Sequence, residues 1–284
     1  MAASADGRTA VVANYGGPTP GTTLSIIDVA TRKERKRLAL PGLVRPHGLY
    51  AIGSKIYLTA EANKVVARYD LAEDRIDWIG GTGQELTHMV VVTPGQQKVY
   101  TANIMSDSVS SISFADWPKK LTTKTIAVGK GPEGIDVSPD GKEVWVAQRG
   151  DGGISVIDTA TDAVVKKLDG GKLPIRIKFT PDGKRVLVND APSREVLVFD
   201  AVTKELVKKV TIAEDPVGLV VAPDGKHAYL ACTGAAKVAV LDLDMLTVTA
   251  WIEVGQQPDG LAWAVASAPR ATPAAASDAA PTHD

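Results

Sequence analysis

A four-residue turn signature recurs in this chain at a fixed interval, and that interval constrains the fold more than any other feature. Pro139-Asp140-Gly141-Lys142, Pro181-Asp182-Gly183-Lys184 and Pro223-Asp224-Gly225-Lys226 follow one another at intervals of 42 residues. Proline presets φ, aspartate bonds its own backbone, and glycine takes a conformation that other residues resist, so each copy predicts a tight turn. Because the residues between the copies repeat as well, the chain is predicted to be a repeat protein.

Each repeat contains four short apolar segments. In the copy built around residue 140 they are residues 134–137 before the turn, and residues 144–147, 154–158 and 164–168 after it. Four strands in a unit of about 40–45 residues are typical of a β-propeller blade, which cannot bury both faces alone and must stack on its neighbours. Weaker copies of the turn begin at Ser4, Ile52 and Thr93. The sequence therefore predicts an all-β propeller with six four-stranded repeats.

The two chain ends predict how the ring closes. Residues 8–14 form a second strand that has almost no inner partner, and residues 260–263 form an inner strand with no turn after it. We expect the two segments to pair, so that both chain ends close a ring of six blades. The alternative is that residues 1–3 are the stub of an inner strand, and that a signal peptide and the first blade of a seven-bladed parent precede this chain. The propeller is predicted to span residues 1–266, and the Ala/Pro-rich residues 267–284 to form a disordered tail.

Charge and composition argue against several functional classes. The formal net charge is −1, so no overall field attracts nucleic acid or an anionic membrane. Basic pairs such as Lys166-Lys167 fall on predicted outer strands, where lysine discourages edge-to-edge pairing. No segment approaches the ~18 apolar residues of a membrane helix. Cys232 is the single cysteine, so no disulfide forms within the chain. Nucleic acid is therefore an unexpected partner, and no membrane span is expected.

Two further sets of residues are interpreted as architectural. Aspartates that end third strands are expected to cap their own turns rather than bind metal; they are Asp28, Asp70, Asp158, Asp200 and Asp242. Tryptophans fall in or beside predicted strands, where packing between blades is the expected role; they are Trp78, Trp117, Trp145, Trp251 and Trp263.

Second strands such as Tyr100-Thr101-Ala102-Asn103 carry a family resemblance. Similar segments are residues 11–14 and 145–148, the latter preceded by Ser-Pro-Asp-Gly-Lys and followed by Val-Ile-Asp-Thr-Ala-Thr-Asp-Ala-Val-Val. These segments resemble the YVTN repeat of bacterial and archaeal β-propellers, which are also described as surface-layer-type or lactonase-like. The resemblance covers nearly all of residues 1–266. It implies a periplasmic or extracellular protein, usually of seven blades, although the chain shows no signal peptide.

The candidate site is predicted where the inner strands begin, because inner strands line the central channel of a propeller. In four of the six repeats the residue at that point lies between proline and glycine, and in successive repeats the position is occupied by His47, His88, Glu133, Ile175, Val217 and Asp259. Once the C-terminal strand closes the first blade, Asp259, His47, His88 and Glu133 become contiguous around the ring. Arg176 takes the glycine position of the next blade and Arg45 precedes the second inner strand, and both can hold a carboxylate by bidentate hydrogen bonds.

Two functions of different classes fit this column. His47, His88, Glu133 and Asp259 are suitable ligands for a divalent metal ion, which would activate water in a metal-assisted lactone or ester hydrolase. Alternatively, they form the polar wall of a wet channel in a non-catalytic, extracytoplasmic binding or scaffold protein, whose partner is another protein or a small anionic ligand. A channel mouth built from separate blades is wide for metal bonds of ~2.1 Å. Binding or scaffolding is therefore the leading prediction.

Overall fold

The computed structural model describes residues 1–115, 120–212 and 214–264. Within these ranges the chain forms six separate sheets, each of four antiparallel strands, and helix is limited to three single 3-10 turns. The inner strands of consecutive blades lie side by side around the channel. The predicted all-β fold, a propeller with six four-stranded blades, is confirmed.

Every blade is a meander in which the first strand is innermost and the fourth is outermost. Blade 1 contains β1 (Ala2–Ala3), β2 (Thr9–Gly16), β3 (Pro20–Asp28) and β4 (Lys33–Ala39), and blade 2 contains β5 (Pro46–Ile52), β6 (Lys55–Ala60), β7 (Val65–Asp70) and β8 (Arg75–Gly81). Blade 3 contains β9 (Thr87–Val92), β10 (Lys98–Asn103), β11 (Ser108–Ser113) and β12 (Thr122–Ala127), and blade 4 contains β13 (Pro132–Val137), β14 (Glu143–Gln148), β15 (Gly153–Asp158) and β16 (Ala163–Asp169). Blade 5 contains β17 (Pro174–Phe179), β18 (Arg185–Asp190), β19 (Glu195–Asp200) and β20 (Leu206–Thr211), and blade 6 contains β21 (Pro216–Val221), β22 (His227–Cys232), β23 (Lys237–Asp242) and β24 (Thr247–Glu253).

The repeated aspartates act as turn caps. In the Pro-Asp-Gly turns, Asp140 Oδ1 accepts hydrogen bonds from the Ser138 hydroxyl at 2.6 Å and from the Lys142 amide at 3.1 Å. Gly141 has a φ of +74°, the left-handed conformation that the turn requires. At the third-strand position, Asp158 Oδ1 accepts from the Thr161 amide at 2.8 Å. The capping interpretation of the third-strand aspartates is confirmed at each position, since Asp28, Asp70, Asp200 and Asp242 also accept backbone amides.

The core lies between blades, as Trp145 illustrates. Its side chain is fully buried, with ring centroids 5.8 Å from Phe179 and 6.1 Å from Phe199, both in the next blade. The indole Nε1 donates to Glu143 Oε2 at 3.0 Å, which satisfies the polar atom of the buried ring. This confirms the predicted packing of Trp145 between blades.

The same prediction is wrong for Trp251 and Trp263. Trp251 lies on the outermost strand β24 and is 38% exposed, because neighbouring blades diverge with distance from the axis and leave the outer strand uncovered. Trp263 is 39% exposed and contacts Tyr229 at a ring distance of 5.4 Å. Trp117 lies outside the described residues.

The predicted pairing at ring closure is also wrong. The inner strand of blade 1 is β1, in which Ala2 pairs with Val11 and Ala3 with Ala10, whereas residues 261–264 form no strand. A short local hairpin forms β1–β2, and its closure costs less entropy than pairing segments from opposite chain ends. The ends still meet, since a Cβ added to Gly260 would lie 3.2 Å from the Met1 nitrogen.

Three remaining expectations concern the chain as a whole. The domain boundary at residue 266 and the tail at residues 267–284 lie outside the described residues. Cys232 is buried as a free thiol. Within the part of the chain that the structure describes, no helix has both the length and the apolarity needed to cross a membrane.

Candidate functional site

Close approach of the inner strands brings the predicted column together at one channel mouth. His47 and His88 occupy the second positions of β5 and β9, and Glu133 that of β13. A Cβ on Gly48 would lie 2.5 Å from the His88 carbonyl oxygen, so only glycine allows these two strands to approach so closely. A Cβ on Gly134 would lie 2.9 Å from the Arg176 Cα, so glycine is also needed where β13 meets β17. The glycines after His47 and Glu133 therefore set the spacing of the site.

The two histidines form a stacked pair. Their ring centroids are 3.7 Å apart with an interplanar angle of 24°, and the Tyr15 ring meets His47 edge-on at 5.3 Å. The Nδ1 of His47 is buried and has no hydrogen-bond partner within the described part of the chain. Burial disfavours the charged imidazole and the neighbouring His88 adds to this effect, so the pKa of His47 falls to about 4. His47 is therefore neutral near pH 7.

His88 has two carboxylate neighbours. Its Nδ1 lies 2.5 Å from Glu61 Oε1, and its Nε2 lies 3.7 Å from Glu133 Oε1. Burial alone would lower the pKa of His88, but Glu133 and Glu61 together outweigh burial and raise it. Glu61 also accepts a hydrogen bond from the Tyr15 hydroxyl at 2.7 Å. Burial opposes ionisation of Glu61, yet the hydrogen bonds from His88 and Tyr15 prevail and lower its pKa.

Arginines hold the other two carboxylates of the predicted column. Glu133 accepts from Arg149 Nη1 at 2.7 Å and from Arg176 Nη1 at 3.1 Å, and Arg176 Nη2 donates to Asp259 Oδ1 at 3.2 Å. Burial opposes ionisation of Glu133, but His88, Arg176 and Arg149 outweigh it and lower the pKa of Glu133 to about 2. A continuous polar chain thus runs from His47 through His88, Glu133 and Arg176 to Asp259.

A cavity of about 270 Å³ opens beside this chain at the channel mouth. Its polar lining comes from Tyr15, His47, Arg176, Lys178 and Asp259. Its apolar lining includes Val12, Leu49, Met89, Leu219 and Leu261. A mixed wall of this kind is typical of small-molecule sites, in which apolar contacts supply affinity and a few polar groups orient the ligand.

A larger groove of about 410 Å³ lies at the opposite end of blades 4 and 5, among the Pro-Asp-Gly turns. Its charged groups are already paired, as Lys204 with Glu143 and Asp182 with the Thr180 hydroxyl. Because these residues belong to repeated turns and their partners, the groove is a consequence of blade architecture.

Arg45, a predicted site residue, does not line the cavity and contacts Tyr15 instead. Its guanidinium carbon sits 4.9 Å above the Tyr15 ring, and its Nη2 donates to the Gly17 carbonyl at 3.2 Å. Of the two apolar members of the column, Ile175 is buried and Val217 is half-buried. Arg45 therefore supports Tyr15 from outside the cavity.

Four residues of the site were not anticipated: Lys178 on β17, and Tyr15, Glu61 and Arg149, which share one position of the repeat. The last three directly follow Asn14, Ala60 and Gln148; Ala60 and Gln148 are the last residues of their second strands to pair with the third, and Asn14 is the last before a register shift. They form a second column of the repeat, because second strands end at the same mouth where inner strands begin. Reading the repeat at this second position would have found all three.

Comparison with known proteins places the fold in a family. The model of a family described as "Lactonase, 7-bladed beta-propeller" matches residues 59–268. The chain belongs to this lactonase propeller family. The family description counts seven blades, whereas the residues of this lactonase-family propeller that the structure describes form six.

Individual proteins that match this chain share less than 30% sequence identity with it. Antigen Lp49 of Leptospira interrogans (serogroup Icterohaemorrhagiae, serovar copenhageni, strain Fiocruz L1-130) is 28% identical over 163 residues, which are 50% of this chain and 35% of that protein. The match therefore spans about a third of that curated relative. Kuenenia stuttgartiensis Hydrazine Synthase superposes with a TM-score of 0.78 at 18% identity, covering 93% of this chain and 88% of that chain. The Cps50 (Swd1) β-propeller domain of Myceliophteria thermophila gives 0.77 at 13% identity, covering 92% and 88%. At such identities the two structures show the fold alone.

Proposed function

We propose that this lactonase-family propeller is a non-catalytic binding protein that takes a small anionic molecule into the cavity at its channel mouth. The observation that carries the proposal is the Arg176 guanidinium on the cavity wall. Its Nη2 is held by Asp259, whose side chain is 51% exposed to solvent. An incoming carboxylate can take the place of Asp259 and bind Arg176 through charge-assisted hydrogen bonds.

The rest of the wall supports an anion with an apolar or hydroxylated body. Lys178 is a second cation in the cavity wall, where its Nζ donates to Asp136 at 3.0 Å. Neutral His47 offers a polar contact without adding charge. Leu49 and Leu219 provide apolar surface against which the body of the ligand packs.

Titration calorimetry tests the proposal. Acetate, lactate, gluconate and citrate are titrated in turn into the full chain, in the presence of EDTA and at constant ionic strength. We expect at least one of them to bind, Arg176→Gln to lose most of the affinity, and Asp259→Asn to gain affinity because the competing carboxylate is removed.

Arg149→Gln is the matched control, because Arg149 bonds the same Glu133 carboxylate but does not line the cavity. It should retain affinity. The proposal fails if no carboxylate binds the folded protein, or if the two arginine variants lose affinity equally.

Metal-assisted hydrolysis of a lactone or ester is the second candidate function. It is favoured by membership of the lactonase family together with the imidazole pair beside the cavity. Base uptake during incubation with δ-gluconolactone, measured with and without EDTA, separates the two candidates. Turnover that requires a metal ion and is lost in His88→Ala would favour hydrolysis, whereas binding without turnover favours the non-catalytic function.

We further infer that the repeats are of the YVTN, surface-layer-type class and that the protein works in the periplasm or outside the cell. Support comes from the YVTN-like segment Tyr100–Asn103, which occupies the second strand of blade 3, and from the similar segments in the second strands of blades 1 and 4. Fractionation of source cells with an antibody tests the location. Recovery of the protein with a cytoplasmic marker would contradict it.

A further inference from the structure

We propose that His47, His88 and Glu61 bind one divalent first-row metal ion, of the zinc class, beside the cavity, whose wall includes His47. This inference shares its pocket with the binding function but does not depend on it. It supplies the second candidate function with a defined set of ligands, which includes Glu61 and excludes Glu133 and Asp259.

The three side chains already converge. Each offers one ring nitrogen or carboxylate oxygen, and these three atoms all lie within 4.8 Å of one another. Tetrahedral zinc with bonds of ~2.1 Å places its ligand atoms roughly 3.4 Å apart. Glu61 Oε1 and His88 Nδ1, now 2.5 Å apart, must therefore separate by about 0.9 Å, and a pair at the 4.8 Å limit must close by about 1.4 Å. Because an imidazole lone pair lies in its ring plane, ion binding also requires the stacked rings, now 24° from parallel, to rotate out of the stack.

The chemistry of the set suits zinc rather than magnesium or calcium. Two imidazoles and one carboxylate are a ligand set of catalytic zinc sites, in which a fourth position stays open to water or substrate. His47 Nδ1 is buried without a hydrogen-bond partner in the described residues, a cost that ligation by this atom would relieve. The adjoining cavity provides access to the open position.

Outer contacts distinguish the proposed ligands from the other carboxylates. The Tyr15 hydroxyl occupies Glu61 Oε2 at 2.7 Å, which leaves Glu61 Oε1 directed at His88 Nδ1. On the far side of the ring, His88 Nε2 faces Glu133 Oε1 at 3.7 Å. A carboxylate next to the non-ligating nitrogen of a metal-bound histidine is a common supporting contact. Two arginines hold Glu133 in that outer position, so it orients His88 instead of binding the ion.

Metal binding by the full chain tests the inference directly. The protein is dialysed against EDTA and then titrated with ZnCl₂ by calorimetry and with CoCl₂ by visible absorption, in which low-coordinate Co²⁺ shows intense d–d bands. We expect one equivalent to bind per chain. Because loss of a supporting contact alone costs about 10–100-fold in affinity, His47→Phe and Glu61→Gln should each weaken binding by more than about 100-fold. Glu133→Gln should fall within the 10–100-fold range.

His227→Phe is the matched control, since it makes the same exchange at the start of β22, outside the cavity lining. It should keep the wild-type affinity. Circular dichroism checks that each variant is folded, and His47→Phe is informative even if Glu61→Gln fails to fold, because phenylalanine preserves the ring stack.

The inference is overturned if the folded wild-type protein binds neither ion, or if His47→Phe binds as tightly as the wild type and the ion therefore lies elsewhere. Carboxylate binding is measured in EDTA, so its outcome is separate. Loss of metal binding with retained carboxylate binding would overturn only the metal site, and the reverse result would overturn only the proposed binding function.

Discussion

Replacing His47 with phenylalanine should reduce the amount of stability that the protein loses in acid. His47 is stacked on His88, bordered by Tyr15, and its pKa is lowered to about 4, first by burial and then by the nearby His88. In the unfolded chain the imidazole returns to its ordinary value of 6.5. Between these two values the unfolded state binds a proton that the folded state rejects. Acid therefore favours unfolding through this residue.

The size of the pKa shift of His47 sets how much free energy of unfolding is lost in acid. About 2.5 pH units at about 1.36 kcal/mol each correspond to about 3 kcal/mol, which is lost as the pH falls from about 6.5 to 4. His88 has the opposite sign, because its raised pKa contributes stability that is present at low pH and lost as the pH rises through the folded value. Since His88 is present in both proteins, the difference between wild type and His47→Phe isolates His47.

Urea unfolding in EDTA at about pH 7 and about pH 4 measures this difference. We expect the free energy of unfolding of the wild type to fall by about 3 kcal/mol more than that of His47→Phe over this interval. His227→Phe reports the same exchange away from the channel. If the two free energies fall in parallel, within about 0.5 kcal/mol, His47 is not held neutral by burial and the description of the pair is wrong.

Three further outcomes are expected. Trp145→Ala should cost about 3–5 kcal/mol in urea unfolding because it leaves a cavity between blades, whereas Trp251→Ala on the exposed outer strand should cost little. Gly48→Ala should cost about 1–3 kcal/mol and displace His47, since its Cβ would meet the next inner strand, while Gly17→Ala meets nothing; equal melting temperatures would contradict this. Glu133→Gln should lose less stability than the wild type as the pH falls from 4.5 towards 2, followed by circular dichroism, because the lowered pKa of Glu133 contributes stability above 4.5 that is lost as the pH approaches 2.

The fold was predictable because its signals are local and repeated. Turns such as Pro139-Asp140-Gly141 carry their own conformational reason, and 42-residue spacing implies stacked four-stranded units. Ring closure was not predictable in the same way. Residues 1–3 and 260–263 are two short segments of similar apolar character, and either could have paired with β2. The structure pairs residues 2 and 3 with β2 in a local hairpin.

The site was predictable in position and less so in pairing. Reading the start of each inner strand led to His47, His88 and Glu133 because propeller geometry places equivalent positions side by side. Which carboxylate meets which cation depends on side-chain reach across the ring, and no repeat pattern contains that information. Glu61 was missed because it directly follows the second strand, whose end meets the same mouth only after folding.

The chain of polar contacts that begins at Tyr15 draws on blades 1 to 5, and its last bond joins Arg176 to Asp259, 83 positions later. A solenoid of similar repeats can lose a terminal unit and keep the surface of the remainder. This ring cannot lose any of blades 1 to 5 in that way, because each of them holds a partner in this chain of contacts. Whatever binds at the mouth therefore stabilises the closed ring over the open one by mass action. Ligand binding at the mouth and closure of the ring are therefore thermodynamically coupled.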